Sequence, residues 1–221
     1  MPWLPESVST FGGDMDRIFY VILWITGIIF VLVEVTLLWF AFRYRHREGR
    51  KAEHIHGNWK IEVVWTAVPF LIVMVLGAMS WGPWQRVKNT TNFATAPLEL
   101  NVHASQFEWA VTYPGPDGRL NTEDDFQRRN QLHVPAHRPV LVHLSSEDVI
   151  HSFFLPEFRV KQDVVPGMDL SAWFEATEPG EYTLACAELC GTGHTRMMGS
   201  VTVYTPEEFD AWHRGVSATG N

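Results

Sequence analysis

The chain has 221 residues, 46% of them hydrophobic, and a formal charge of −8. Residues 86–221 hold 18 acidic against 10 basic side chains, whereas residues 1–85 hold 7 of each, so the whole net charge lies in the C-terminal part. That balance argues against a nucleic-acid partner and suits a basic protein partner, because a field of one sign steers the opposite sign toward it.

Residues 1–17 form an N-terminal segment that is acidic and, up to Asp16, free of basic side chains. Residues 18–42 are almost wholly apolar. A spanning helix needs about 20 such residues, and a signal peptide would start basic and carry a shorter apolar stretch, so a retained transmembrane helix is expected. Glu34 lies inside it; ionisable residues at that depth face a protein partner or a water path. Residues 43–60 carry Arg43, Arg45, Arg47, Arg50, Lys51 and Lys60, which places this short loop on the cytoplasmic side and both the N-terminus and the C-terminal domain on the outer side. Residues 61–84 supply a second spanning helix, with Pro69, Gly77 and Pro83 tolerated as in other membrane helices and with Trp65, Trp81 and Trp84 near its ends. On physical grounds alone Glu62, at its start, reads as an interfacial carboxylate.

After a linker at residues 85–96 the pattern changes. Residues 98–103, 139–144, 180–186 and 199–204 alternate or are rich in β-branched side chains, with Pro-Gly and Asp-Gly turns between such runs. Residues 97–204 therefore predict an all-β Greek-key sandwich or barrel. The polar stretch 114–125 lacks the fixed glycine and terminal Glu of a helix–loop–helix calcium site and reads as a hairpin extension. Residues 205–221 open with Thr205 and Pro206, a capping residue followed by proline at the first helical position, and predict a short helix and tail.

The chemistry concentrates in Cys186-Ala-Glu-Leu-Cys-Gly-Thr-Gly-His-Thr-Arg-Met197, which sets two thiols, an imidazole and a thioether within 12 residues. Cys186 and Cys190 are the only cysteines and fit either a local disulfide or a pair of metal ligands. A disulfide leaves His194 and Met197 without a role. Sulfur with imidazole selects copper, zinc or iron–sulfur sites. A mononuclear blue-copper site uses one Cys; two thiolates can bridge two copper ions, each completed by one His and one weak ligand. His194 supplies one imidazole. His151, after a β-like run and flanked by apolar residues, is the best candidate for the other. Zinc bound by two Cys and two His is the competing reading.

These residues resemble the cytochrome c oxidase subunit II family. Its pattern, Cys-x-Glu-x-Cys-x-x-x-His-x-x-Met preceded by a His about 35 positions before the first Cys, is met by His151 and Cys186–Met197. Glu62-Val-Val-Trp-Thr-Ala-Val-Pro69, Ser145–Ser152 and Lys161–Gly167 resemble further family segments. The resemblance implies a cupredoxin-like domain behind a two-helix anchor, in a bacterial inner membrane. It implies a two-copper centre in which Cys186 and Cys190 bridge, His151 and His194 ligate one ion each, and Met197 and the Glu188 carbonyl are weak ligands. The Glu188 carboxylate would reach a magnesium or manganese site shared with subunit I, and Glu62 would guard the mouth of a proton channel there. The implied activity is cytochrome c oxidation coupled to proton translocation, carried out with a haem-bearing subunit I, a subunit III, membrane lipid, and cytochrome c or another basic donor. Where the family has an electron-accepting tryptophan after a Gln, this chain has Gln106-Phe107-Glu108-Trp109, so Phe107 or Trp109 is expected in that role. A quinol-oxidase relative that has lost its ligands, a nitrous-oxide reductase, and a membrane-tethered copper carrier fit less well. The ligands are all present, the length leaves no second large domain, and a carrier needs neither Glu62 nor two coppers.

Overall fold

The computed structural model describes residues 4–51, 54–91 and 93–219, with residues 218 and 219 described by backbone alone. Parts of the expected N-terminal segment (1–3), interhelical loop (52–53), linker (92) and tail (220–221) thus lie outside the described residues. Two compact units result: residues 14–84, and residues 1–13 together with 85–221.

The membrane unit follows from the two apolar runs. Helix α1 spans Gly12–Arg43 and α2 spans Trp59–Lys88, so each continues beyond its apolar run in polar turns. Asn58 caps α2, its Oδ1 accepting from the Lys60 amide at 3.1 Å, and Glu62 in the first turn lies at the positive end of the helix dipole. The hydroxyls of Thr26, Thr66 and Ser80 donate to the carbonyls of Ile22 (2.8 Å), Glu62 (2.9 Å) and Leu76 (2.8 Å) in their own helices, so these polar groups are satisfied without water. The most apolar stretch of each helix is entirely unburied within the chain, as suits a lipid or a partner helix.

The second unit is a sandwich of two five-stranded sheets. Strands β1 (Leu98–Ser105), β2 (Glu108–Tyr113), β3 (Phe126–Arg129), β5 (Pro139–Ser146) and β8 (Leu170–Glu175) form one, in the order β3-β2-β1-β5-β8. Strands β4 (Gln131–Pro135), β6 (His151–Leu155), β7 (Val160–Val164), β9 (Gly180–Cys186) and β10 (Met198–Tyr204) form the other, in the order β4-β10-β9-β6-β7. Pairing is parallel for β1 with β5 and β4 with β10, and antiparallel elsewhere. Period-two alternation sends Leu98, Leu100, Val102 and Ala104 of β1 inward to meet Leu132, Val134, Leu184 and Val201 from the facing sheet, all buried. Helix α3 (Pro206–Thr219) closes the domain. Thr205 and Glu208 form a reciprocal capping box, with Thr205 N to Glu208 Oε2 at 3.1 Å and Glu208 N to Thr205 Oγ at 3.4 Å.

The N-terminal segment joins this domain, which its polar composition did not indicate. Val8 and Phe11 are buried. The Val8 amide donates to Glu157 O (2.9 Å), Thr177 N donates to Val8 O (2.9 Å), and Ser9 Oγ donates to Phe158 O (2.8 Å). Phe11 meets Trp173 edge-on at 5.4 Å. Residues 4–13 and the C-terminal domain therefore belong to one compact unit.

Candidate metal centre

Two neighbouring strands of one sheet and the loop leaving them bring the sulfur and imidazole groups together. His151 opens β6, Cys186 ends β9, and the two strands pair antiparallel. The loop from Cys186 turns back on itself: the Cys186 amide donates to Met197 O at 3.1 Å, and His194 N, Arg196 N and Met197 N close successive tight turns onto Gly191, Gly193 and His194 carbonyls. Ala187 N anchors the loop to Ser152 O at 3.1 Å.

The donor atoms converge. The two Sγ atoms are 3.8 Å apart. Cys186 Sγ lies 3.9 Å from His151 Nδ1 and 3.2 Å from Glu188 O. Cys190 Sγ lies 3.6 Å from His194 Nδ1 and 3.7 Å from Met197 Sδ. Both cysteines are free, and a disulfide would need an S–S distance near 2.0 Å. Tetrahedral donors 2.0–2.3 Å from one ion stand roughly 3.3–3.8 Å apart, so this set has the spacing of ligands around metal. His151 and Met197 are fully buried and Cys190 is 3% exposed, while His194 is half-buried at the outer edge of the group. Burial, then the hydrogen bond and proximity of the Cys186 thiol, push the Cys190 thiol up to about 11. A cation bound beside Cys190 would favour its thiolate and oppose that shift.

A supporting shell fixes these groups. His151 Nε2 is 2.8 Å from Asp148 Oδ1, which leaves Nδ1 to face the thiol. Asp148 also accepts from the Gln106 and Val149 amides, both at 2.7 Å. Burial opposes ionisation of its carboxyl, but the bonds from His151, Gln106 and Val149 outweigh that and hold it below the usual carboxylate range. This is the carboxylate–histidine arrangement that orients metal ligands elsewhere. The β1–β2 turn braces the loop from outside. Gln106 Nε2 donates to Cys190 O at 2.5 Å, and the Phe107 ring lies so close to Gly193 that a Cβ there would collide with it. Gly191, at φ +130°, faces the same ring and has Gln106 Nε2 only 2.7 Å from where a Cβ would sit.

The sequence-derived ligands thus meet, while the other candidates sit as follows. Phe107, in the β1–β2 turn, is partly exposed; Trp109 is fully buried, its ring 6.1 Å from His151 and 5.8 Å from Phe153, with no hydrogen-bond partner for its indole N–H among the described residues. The Glu188 side chain is exposed. Glu62 belongs to the membrane unit, in the first turn of α2. The orienting roles of Gln106 and Asp148 were missed in the sequence. Asp148 precedes the candidate ligand His151 by three positions, which is the signal that could have found it.

The family signature described as cytochrome C oxidase subunit II, transmembrane domain, matches residues 3–82, and that of the periplasmic domain matches residues 108–203. The chain belongs to the cytochrome c oxidase subunit II family. It is similar to cytochrome c oxidase subunit 2 of Thermostichus vulcanus, at 33% identity over 96% of this chain and 77% of the relative. Alternative cytochrome c oxidase subunit 2 of Bradyrhizobium diazoefficiens is also 33% identical, over 96% of this chain and 83% of its own. Among solved structures, the periplasmic domain of subunit II of cytochrome oxidase from Bradyrhizobium japonicum matches 57% of this chain and 98% of that domain, at 27% identity and a TM-score of 0.50. As a subunit II, the protein is a membrane component of a multi-subunit haem–copper oxidase and works alongside other subunits.

Proposed function

We propose that this chain is the electron-accepting subunit of its oxidase and holds a two-copper centre. The observation that carries the reading is the convergence of two imidazole Nδ1 atoms, a thioether and a carbonyl on two buried thiols, each within 3.9 Å of one thiol. Cys186 and Cys190 would bridge the ions, His151 and His194 would each complete one, and Met197 and Glu188 O would be the weak ligands. Bound there, copper supplies one-electron redox chemistry. The protein's part is to hold the ligands still. Asp148 fixes the His151 tautomer, the Gln106–Phe107 brace and the tight turns of the loop fix Cys190 and His194, and the apolar shell excludes water, so little rearranges on electron transfer.

The partners follow from the same reading. The acidic outer domain suits a basic donor such as cytochrome c. Phe107 reaches the surface and Trp109 reaches His151, which gives the pair the outer and inner ends of an electron path. The exposed Glu188 carboxylate is available to a magnesium or manganese ion shared with subunit I, and Glu62 to the mouth of a proton channel there. The arginine-rich loop between the helices supports a cytoplasmic side for that loop, and so an outer domain in the periplasm of a bacterium with the helices in the inner membrane.

Electron paramagnetic resonance of the purified, copper-loaded oxidase tests the assignment. An electron shared over two coppers gives more and narrower hyperfine lines than one held on a single copper, and that signal should vanish on Cys186→Ser. A single-copper spectrum, or one copper per chain in this subunit, would overturn the reading.

A further inference from the structure

Glu34 is the one charged side chain between Arg17 and Arg43, and α2 has none between Glu62 and Arg86. At a rise of about 1.5 Å per residue it lies roughly 6 Å from the middle of the apolar run and about 13 Å short of Arg43, too deep for so short a side chain to reach the headgroups of a hydrocarbon layer about 30 Å thick. It is exposed on α1, and among the described residues no hydrogen bond or ion pair engages it. Thr26, Thr66 and Ser80 each bond a carbonyl of their own helix and not Glu34. Its face of the helix, at spacings of three, four and seven, consists of Gly27, Phe30, Val31, Leu37, Leu38 and Ala41. Small residues one heptad to either side let another backbone approach closely at the level of the carboxylate. A carboxyl facing lipid is unfavourable in either protonation state when it lacks a partner, so its occurrence implies a donor from outside the chain.

We propose that Glu34 is a docking point for a hydrogen-bond donor on a membrane helix of the haem-bearing subunit, and that this contact holds α1 in the assembly. The inference rests on the chain being a subunit of the oxidase. It adds a polar latch inside the membrane to whatever contacts the outer domain makes.

The test uses the whole oxidase, purified in detergent through a tag on the haem-bearing subunit. Glu34→Leu should lower the amount of this chain recovered per haem by about fivefold, the scale of one interhelical polar contact, while its level in the membrane before extraction stays normal. Glu34→Gln discriminates the donor: recovery means a neutral donor, and loss equal to that of Glu34→Leu means a Lys, Arg or His. A photo-crosslinking residue in place of Leu38, one turn along the same face, should form an adduct with the haem-bearing subunit. Wild-type recovery of Glu34→Leu would overturn the inference. So would adducts only to lipid or to a second copy of this chain, or variants that assemble fully but turn over slowly, which would assign Glu34 to a water path. Should the wild-type chain itself fail to accompany haem, the subunit reading falls first and this inference with it; copper loading and its spectrum in the isolated full chain would still report on the metal centre independently.

Discussion

Replacing Asp148 with Asn isolates what the supporting shell contributes to the metal centre. One carboxylate oxygen accepts from His151 Nε2 at 2.8 Å and from the Val149 amide at 2.7 Å, and the other from the Gln106 amide at 2.7 Å. An amide of the same shape keeps only one acceptor. Its NH2 must then face either the imidazole N–H or the Gln106 amide, two donors pointing at one another. A hydrogen bond to a charged group contributes about 1.5–3 kcal/mol, and loss of the partner that orients a ligating His costs about 10–100-fold in metal affinity; the two figures agree, since tenfold is about 1.4 kcal/mol. Competition against a copper chelator, on the purified full chain, should show that weakening with two coppers still bound at saturation. Circular dichroism should be unchanged, because Asp148 lies in a loop outside the sheets. Unchanged affinity would refute the argument that Asp148 fixes His151. Complete loss of folding would mean that its bonds to the two amides, and not the one to His151, are what matter.

Three other outcomes follow from the packing. Gly193→Ala drives a Cβ into the Phe107 ring and should destabilise the loaded domain by about 1–3 kcal/mol; in a double-mutant cycle with Phe107→Ala the penalty should shrink, and additivity would disprove the contact. Phe11→Ala removes a fully buried ring at a nominal cost of about 3–5 kcal/mol. Because that ring sits on a terminal segment, hydrogen exchange should rise in residues 4–12 while copper affinity holds; uniform loss of protection would refute a separable segment. Acid should weaken the domain in two stages. Burial, then Arg128, depress His133, so the unfolded chain binds its proton first: this contribution is complete above the ordinary His value near 6.5 and is lost as pH falls below it. Lys161 and Ser152 depress Asp163, whose contribution is complete above the ordinary carboxylate value near 3.8 and is lost at still lower pH. Melting temperatures across pH, with His133→Gln removing the upper stage, check both; a flat profile between about 7 and 5 would contradict the first.

What the sequence made legible was local or periodic. The spanning helices show as long apolar runs, and the metal loop shows because five of its donors come from one 12-residue stretch whose spacing is set by tight turns. Strands such as β1 and β10 alternate clearly. Others do not: β3 reads Phe-Gln-Arg-Arg and β4 Gln-Leu-His-Val-Pro, segments that become strands because β2 and β10 offer their edges, a tertiary effect with no local signature. The brace from Gln106 to Cys190 O joins residues 84 apart, and the burial of Trp109 beside His151 depends on two sheets facing each other. Position along the chain therefore pointed to the candidate ligands, while what orients them became visible only in the fold.

The seam between Ser9 and Phe158, 149 positions apart, bears on how the protein is made. Residues 8–11 can find their place only once residues 157–177 have been synthesised and folded, because the hydrogen-bond partners of Val8 and Ser9 come from Glu157, Phe158 and Thr177. Until then Val8 and Phe11 lack the surface that buries them. The seam is therefore a late step in folding made by early residues, and the sandwich is complete only when it closes.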